Sequence, residues 1–173
     1  MLSAYTGALI SLKALLFDTW QAELSTRLSA AQVAQSSARS GTRVDGSHRP
    51  ANRGERGAVT AQGYLALGLG QRVADLTEQL RLMEEMGAGP RDALVVGALA
   101  EITISGGPSK LVAIVPGGDG TWLEVDTDSG PKKIQALSAA SPLIRQLREC
   151  GPGDLEDVEL GDRVVEVTIL QVY

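Results

Sequence analysis

Apolar positions along this chain change their rhythm near Gly87. Before it, Val59, Gln62, Ala66, Leu69, Val73, Leu76, Leu80 and Met83 recur alternately at three and four residues. That heptad spacing keeps one stripe of a helix turned toward a partner helix. Leu9, Leu12, Leu16, Trp20, Leu24 and Leu28 recur mostly at four and predict an earlier helix running to about Ala38. At ~1.5 Å rise per residue, each helix would extend on the order of 40–55 Å. A single seam of that kind builds no deep core, so the two helices are expected to pair antiparallel as a coiled coil. Gly63, Gly68 and Gly70 inside the second pattern point to close helix approach there, or to a bend.

Beyond Gly87 the pattern is of short β-branched runs punctuated by Gly, Pro and Asp. It predicts strands over 94–104, 111–115, 123–125, 132–137 and 164–172, with turns at 106–109, 116–120 and 126–130. One helix interrupts them. Ser141 is a good N-cap, Pro142 suits the first helical position, and Gly151-Pro152 ends the run. The fold class is therefore α+β. A coiled-coil hairpin over 1–87, with its tip at about 39–57, precedes a small, mostly antiparallel sheet domain with one short helix over 88–173.

Composition sharpens this picture in three places. Aromatic residues make up 3% of the chain, so the core must be built from Leu, Val, Ile and Ala. The net charge of −5 argues against wrapping nucleic acid, and it is unevenly spread. Residues 1–87 are close to neutral, whereas residues 88–173 carry seven bases against thirteen acids. Cys150 is the single cysteine, which excludes an internal disulfide and a cysteine metal cluster and suits the cytoplasm. No run reaches the roughly 18–20 apolar residues of a membrane span. The apolar stretch 8–17 is interrupted by Lys13 and closed by Asp18, so it reads as the buried end of a helix and not as a signal peptide.

Candidate chemistry is sparse. Gly68 and Gly70 lack a preceding strand, and Gly106-Gly107-Pro108-Ser109-Lys110 lacks the upstream glycine and following helix of a phosphate loop. The Arg- and Gly-rich connection is more distinctive. Arg39, Arg43, Arg49, Arg53 and Arg56 surround Asp45 and Glu55 there, and Gly41, Gly46, Pro50, Gly54 and Gly57 disfavour a continuous helix. Arginine offers planar donors for phosphate or carboxylate; two converging carboxylates could hold Mg²⁺, which neighbouring arginines oppose. His48 has no Cys or His companion for metal ligation. In the second domain Asp154, Glu156, Asp157 and Glu159 read as an acidic turn, either solvated or facing a basic partner.

The run Ser141-Pro142-Leu143-Ile144-Arg145-Gln146-Leu147, followed by Gly153-Asp154 and then by Gly161-Asp162 leading into Val164–Val172, resembles the C-terminal domain of the bacterial Gre transcription elongation (transcript cleavage) factors. In that family a Ser-Pro-initiated helix precedes a Gly-Asp turn and two closing strands, and a helical hairpin comes before the domain. The resemblance implies an FK506-binding-protein-like second domain that grips the rim of the RNA polymerase secondary channel, with the coiled coil entering it. Polymerase docking would fall to Ser141, Pro142, Leu143, Ile144, Leu147 and Asp154. In cleavage-stimulating members, tip carboxylates help position a Mg²⁺ shared with the polymerase active site, and the polymerase remains the enzyme.

The family's acids stand three apart, whereas Asp45 and Glu55 are ten apart. Two forms therefore stay open: a cleavage factor acting through Asp45 and Glu55, or a divergent, non-cleaving member that blocks the channel through Arg43, Arg49, Arg53 and Arg56. No cofactor is expected in isolation, nucleic acid would be met only inside the polymerase complex, no membrane is involved, and a monomer is expected. Two other classes are a coiled-coil adaptor and a prolyl isomerase. The latter relies on an aromatic-lined pocket, and the second domain has only Trp122 and Tyr173.

Overall fold

The computed structural model describes residues 2–42, 53–127 and 130–173. Two long helices, α1 (Leu2–Thr42) and α2 (Arg53–Glu85), precede β1 (Leu99–Ile104), β2 (Lys110–Ile114), β3 (Asp119–Thr127), β4 (Gly130–Leu137), α3 (Pro142–Gln146), β5 (Leu155–Leu160) and β6 (Arg163–Val172). The α+β reading holds. Both helices continue further into the Arg-rich connection than the glycines predict, so that Gly41 ends up in α1 and Gly54 and Gly57 in α2. Packing divides the chain into two compact units: Met1–Gln21 with Leu82–Tyr173, and Ala22–Arg81.

In the second unit the chain runs out along α1 and back along α2. The heptad seam is where the helices lose solvent: Leu76 is buried and Val59, Ala66, Leu69, Val73 and Leu80 are half-buried, while Gln62 is exposed. On α1, Leu24, Ala31 and Ala38 are buried at sevenfold spacing, which matches a stripe meeting a stripe. The glycines divide by position. A Cβ built at Gly70 would lie 2.8 Å from the Gln35 amide, whereas at Gly63 or Gly68 it would meet nothing within 4 Å. Close approach is thus a property of Gly70 alone among the three.

The first unit is a six-stranded sheet in the order β3-β4-β2-β1-β6-β5. All pairs are antiparallel except β2 with β4, which run parallel in the register Leu111↔Ile134 to Ile114↔Leu137. Strand alternation gives it two buried faces. One gathers Ala100, Ile102, Val112, Ile114, Val158, Val167 and Ile169 against Ile144 of α3 and Leu147, its C-cap. The other buries Leu99, Ala113, Leu123, Val125, Ile134 and Ala136. The same unit contains Leu12, Leu16, Phe17 and Trp20 of α1, all buried, in keeping with the helix end expected from the apolar stretch.

Two elements differ from expectation. The stretch 94–98 is not strand: Gly97 takes φ 89° and its N–H donates to Ile114 O at 2.8 Å, so the chain turns before β1 begins at Leu99. The acidic segment after Asp154 is not a turn but the edge strand β5, whose Val158 is buried while Glu156, Asp157 and Glu159 are exposed. An edge strand buries one residue in two at most, and its charged outer positions disguise the alternation.

Candidate functional site

The candidate residues fall in two places along the chain, the α3 region and the Arg-rich tip. In the sheet unit, α3 is built as its sequence dictates. Ser141 adopts an extended conformation and its Oγ accepts from Ile144 N at 3.4 Å, Pro142 occupies the first turn, and Leu147 N–H closes the helix on Leu143 O. Ile144 and Leu147 point inward and are fully buried, while Pro142 and Arg145 are exposed and Leu143 is half-buried. The outward face of α3 is therefore Pro142, Arg145 and Gln146, with Ile144 and Leu147 fixing it to the sheet.

The following Gly-Asp turn is equally determined. Asp154 Oδ2 accepts from Gly151 N at 2.7 Å, and Asp154 N donates to Gly151 O at 3.2 Å. Gly153 takes φ 92° and donates to Ile169 O at 2.7 Å, which ties the turn to β6. Beneath it the Cys150 thiol is buried, and its pKa is raised by that burial and by the charges of Glu156, Asp154 and Glu149. The thiol is thereby kept protonated and unreactive.

At the tip, Arg43, Asp45 and Arg49 lie outside the described residues, as does His48. Arg53, Glu55 and Arg56 fall in the first turn of α2. Of the two carboxylates that a shared Mg²⁺ would need, only Glu55 is thus in a described element. Among the described residues, no group of three or more His, Cys, Asp or Glu side chains is placed to hold a metal ion. No helix among them is long and apolar enough to cross a membrane.

Sequence reasoning did not anticipate a groove of about 520 Å³ in the helical unit, lined by Arg39, Val59, Thr60, Gly63, Tyr64, Ala66 and Leu67. Its walls are largely apolar, and Tyr64 and Leu67 are each 72% exposed. On α1 the Gln35 amide, with its oxygen toward Arg39 and Gly70, accepts from Arg39 Nη2 at 3.0 Å and from Gly70 N at 3.3 Å. Gly63 is one of its lining residues, and a Cβ there would meet nothing within 4 Å.

A second unanticipated feature is Lys13, which is 1% exposed. Its Nζ donates to Gly89 O at 2.6 Å and to Tyr173 O at 3.0 Å, and it lies 5.8 Å from the centroid of the Phe17 ring. Burial, and secondarily the charge of Arg91, lower its pKa to about 8. Nearby in sequence, Trp20 Nε1 donates to Pro116 O at 2.9 Å. These bonds fasten the start of α1 within the sheet unit.

No protein-family model matches the chain, and no curated protein matches it. Solved structures similar to it include GreA factor homolog 1 (Gfh1) of Thermus thermophilus, with 13% identity over 88% of this chain and 94% of that one and a TM-score of 0.34. A structure described as the transcription factor Gfh1 is 15% identical over 90% of this chain and 94% of that one, with a TM-score of 0.36. Gfh1 of Thermus aquaticus is 15% identical over 87% and 92% of the respective chains, with a TM-score of 0.35.

Proposed function

We propose that this protein is a Gre-like regulator that binds RNA polymerase at its secondary channel and modulates elongation or the cleavage of backtracked RNA. The observation that carries the reading is the order of elements: a long helical hairpin, then a sheet domain in which the Ser141-capped α3, the Gly153-Asp154 turn and the closing strands β5 and β6 follow one another. That is the order the sequence resemblance implies. In this reading the catalysis is the polymerase's own, the factor works as a monomer in the cytoplasm, and any Mg²⁺ is shared with the polymerase active site. RNA and DNA are met only within that complex.

Docking falls to the outward face of α3, where Pro142 and Arg145 are exposed, with half-buried Leu143 at its margin and Asp154 in the neighbouring turn; Ser141, Ile144 and Leu147 support that face from below. At the tip the channel-blocking form is favoured. In sequence Glu55 stands between Arg53 and Arg56 and has no acid three residues away, and a connection this rich in cations opposes a shared Mg²⁺.

The test uses stalled, backtracked elongation complexes of the cognate polymerase with and without the protein. Slower nucleotide addition or cleavage, relieved when Arg53 and Arg56 are replaced by Ala, supports channel blocking. Faster release of short 3′ RNA fragments, lost on Asp45→Ala or Glu55→Ala, makes it a cleavage factor. Absence of both binding and effect refutes the proposal and leaves the adaptor.

A further inference from the structure

Edge strand β5 carries, at one position, a side chain standing where an added strand would stand. Its register with β6 pairs Glu156 with Val167 and Val158 with Val165, and Ile169 N donates to Asp154 O at 2.9 Å. The even-numbered residues of β5 therefore bond β6, and Leu155, Asp157 and Glu159 turn their N–H and C=O groups outward. At Glu159 those two groups are already taken. Gln146 Nε2 donates to Glu159 O at 2.9 Å, and Glu159 N donates to Gln146 Oε1 at 2.9 Å. One primary amide thus makes both bonds that a neighbouring strand would make at that residue, while Leu155 and Asp157 leave theirs to solvent.

The side chains around this edge have one sign. Glu156, Asp157 and Glu159 are exposed on β5, and Asp157 stands directly opposite Glu166 of β6. Like charges directly opposite one another weaken a sheet. Pairing β5 with the β5 of a second copy would set further carboxylates against one another in each antiparallel register. Leu155 and Val164, 54% and 63% exposed, lie on the same side of the sheet as Asp157 and Glu159. The edge therefore suits an extended backbone whose side chains alternate between basic ones, on the side of Asp157 and Glu159, and apolar ones, on the opposite side with buried Val158 and half-buried Leu160.

We infer that β5 is a strand-addition site for an extended, basic segment of a partner protein, and that Gln146 holds it closed by occupying the Glu159 position. An incoming segment pairs with Leu155 and Asp157 and displaces the amide from Glu159. Main-chain bonds supply the affinity and the acidic side chains select the partner. The site adjoins the proposed docking face through Gln146, but a peptide assay without polymerase reads it independently of that reading.

The test is fluorescence anisotropy of the full-length protein with a labelled, acetylated heptapeptide of alternating Lys and Val. Controls are the same peptide N-methylated at its pairing amides and a Glu/Val counterpart. The Lys/Val peptide binds wild type, and Gln146→Ala binds it about tenfold more tightly, because two exposed hydrogen bonds no longer have to be broken. Both control peptides fail to bind. Exchange protection of the Val158 amide, unchanged in Gln146→Ala, shows that the sheet is intact. Equal binding of the N-methylated peptide, no gain in Gln146→Ala, or no binding to either protein overturns the inference. Self-association of Gln146→Ala without peptide would assign the edge to a second copy and overturn it equally.

Discussion

Replacing Gly63 and Gly68 by Ala is expected to stabilise the helical unit, whereas the same change at Gly70 is expected to be neutral. Each glycine inside a helix costs roughly 0.8–1.0 kcal/mol relative to alanine, through backbone entropy. At Gly63 and Gly68 the new methyl meets nothing within 4 Å, so that gain is realised in full. The two sites stand five residues apart, about 7.5 Å along the axis, and a Cβ at either meets nothing within 4 Å. Their effects should add to about 2 kcal/mol. At Gly70 the methyl lies 2.8 Å from the Gln35 amide and must push it aside. That breaks the contacts the amide makes with Arg39 and Gly70 N, a loss of about 1 kcal/mol that offsets the propensity gain. The assay is helical circular dichroism through urea and thermal unfolding, where the double variant should rise by about 4–8 °C. Equal stabilisation at all three glycines, or destabilisation at Gly63 or Gly68, would refute the division between open and close-packed glycines.

Three further outcomes follow from the sheet unit. Lys13 has a folded pKa of about 8 against an ordinary 10.5, so unfolding takes up a proton between those values. Stability relative to Lys13→Met should then rise by up to about 3 kcal/mol from pH 8 to 10.5, and a difference that stays flat in urea titrations across that range would contradict it. Trp20→Phe removes the donor to buried Pro116 O and should cost about 1–3 kcal/mol, read from the urea midpoint at unchanged slope. Gly118→Ala would put a Cβ 2.3 Å from Leu137 C and 2.7 Å from Ser138 N. Because backbone atoms cannot swing away, the loss should reach at least about 2 kcal/mol in the same measurement.

Much of the architecture was legible because its signals are local. The seam on α2 follows from spacing alone, and α3 follows from Ser141, Pro142 and Gly151-Pro152. What escaped depended on partners distant in sequence. β5 looked like an acidic turn because Glu156, Asp157 and Glu159 are solvated and only Val158 reports a core. Lys13 looked like an interruption in an apolar run, since its acceptors, Gly89 O and Tyr173 O, lie 76 and 160 positions away. The groove is lined by Arg39 of α1 together with Val59, Tyr64 and Leu67 of α2, and no single-helix pattern records a space between two helices. The Ser-Pro start of α3 and the apolar character of Leu143, Ile144 and Leu147 were legible locally, whereas the burial of Ile144 and Leu147, expected among the docking residues, depends on the sheet beneath them.

The division of α1 between two compact units has a consequence for the order in which the chain can fold. Residues 22–81 close a helical hairpin from neighbouring segments, so it can form early and at low contact order. The first half of the same helix belongs with the sheet, and β6 is inserted between β1 and β5. Leu12, Leu16, Phe17 and Trp20 therefore lack their final surroundings until nearly the whole sequence has been synthesised. During translation these side chains are expected to form an exposed apolar stretch, the kind of surface that chaperones hold and from which aggregation starts.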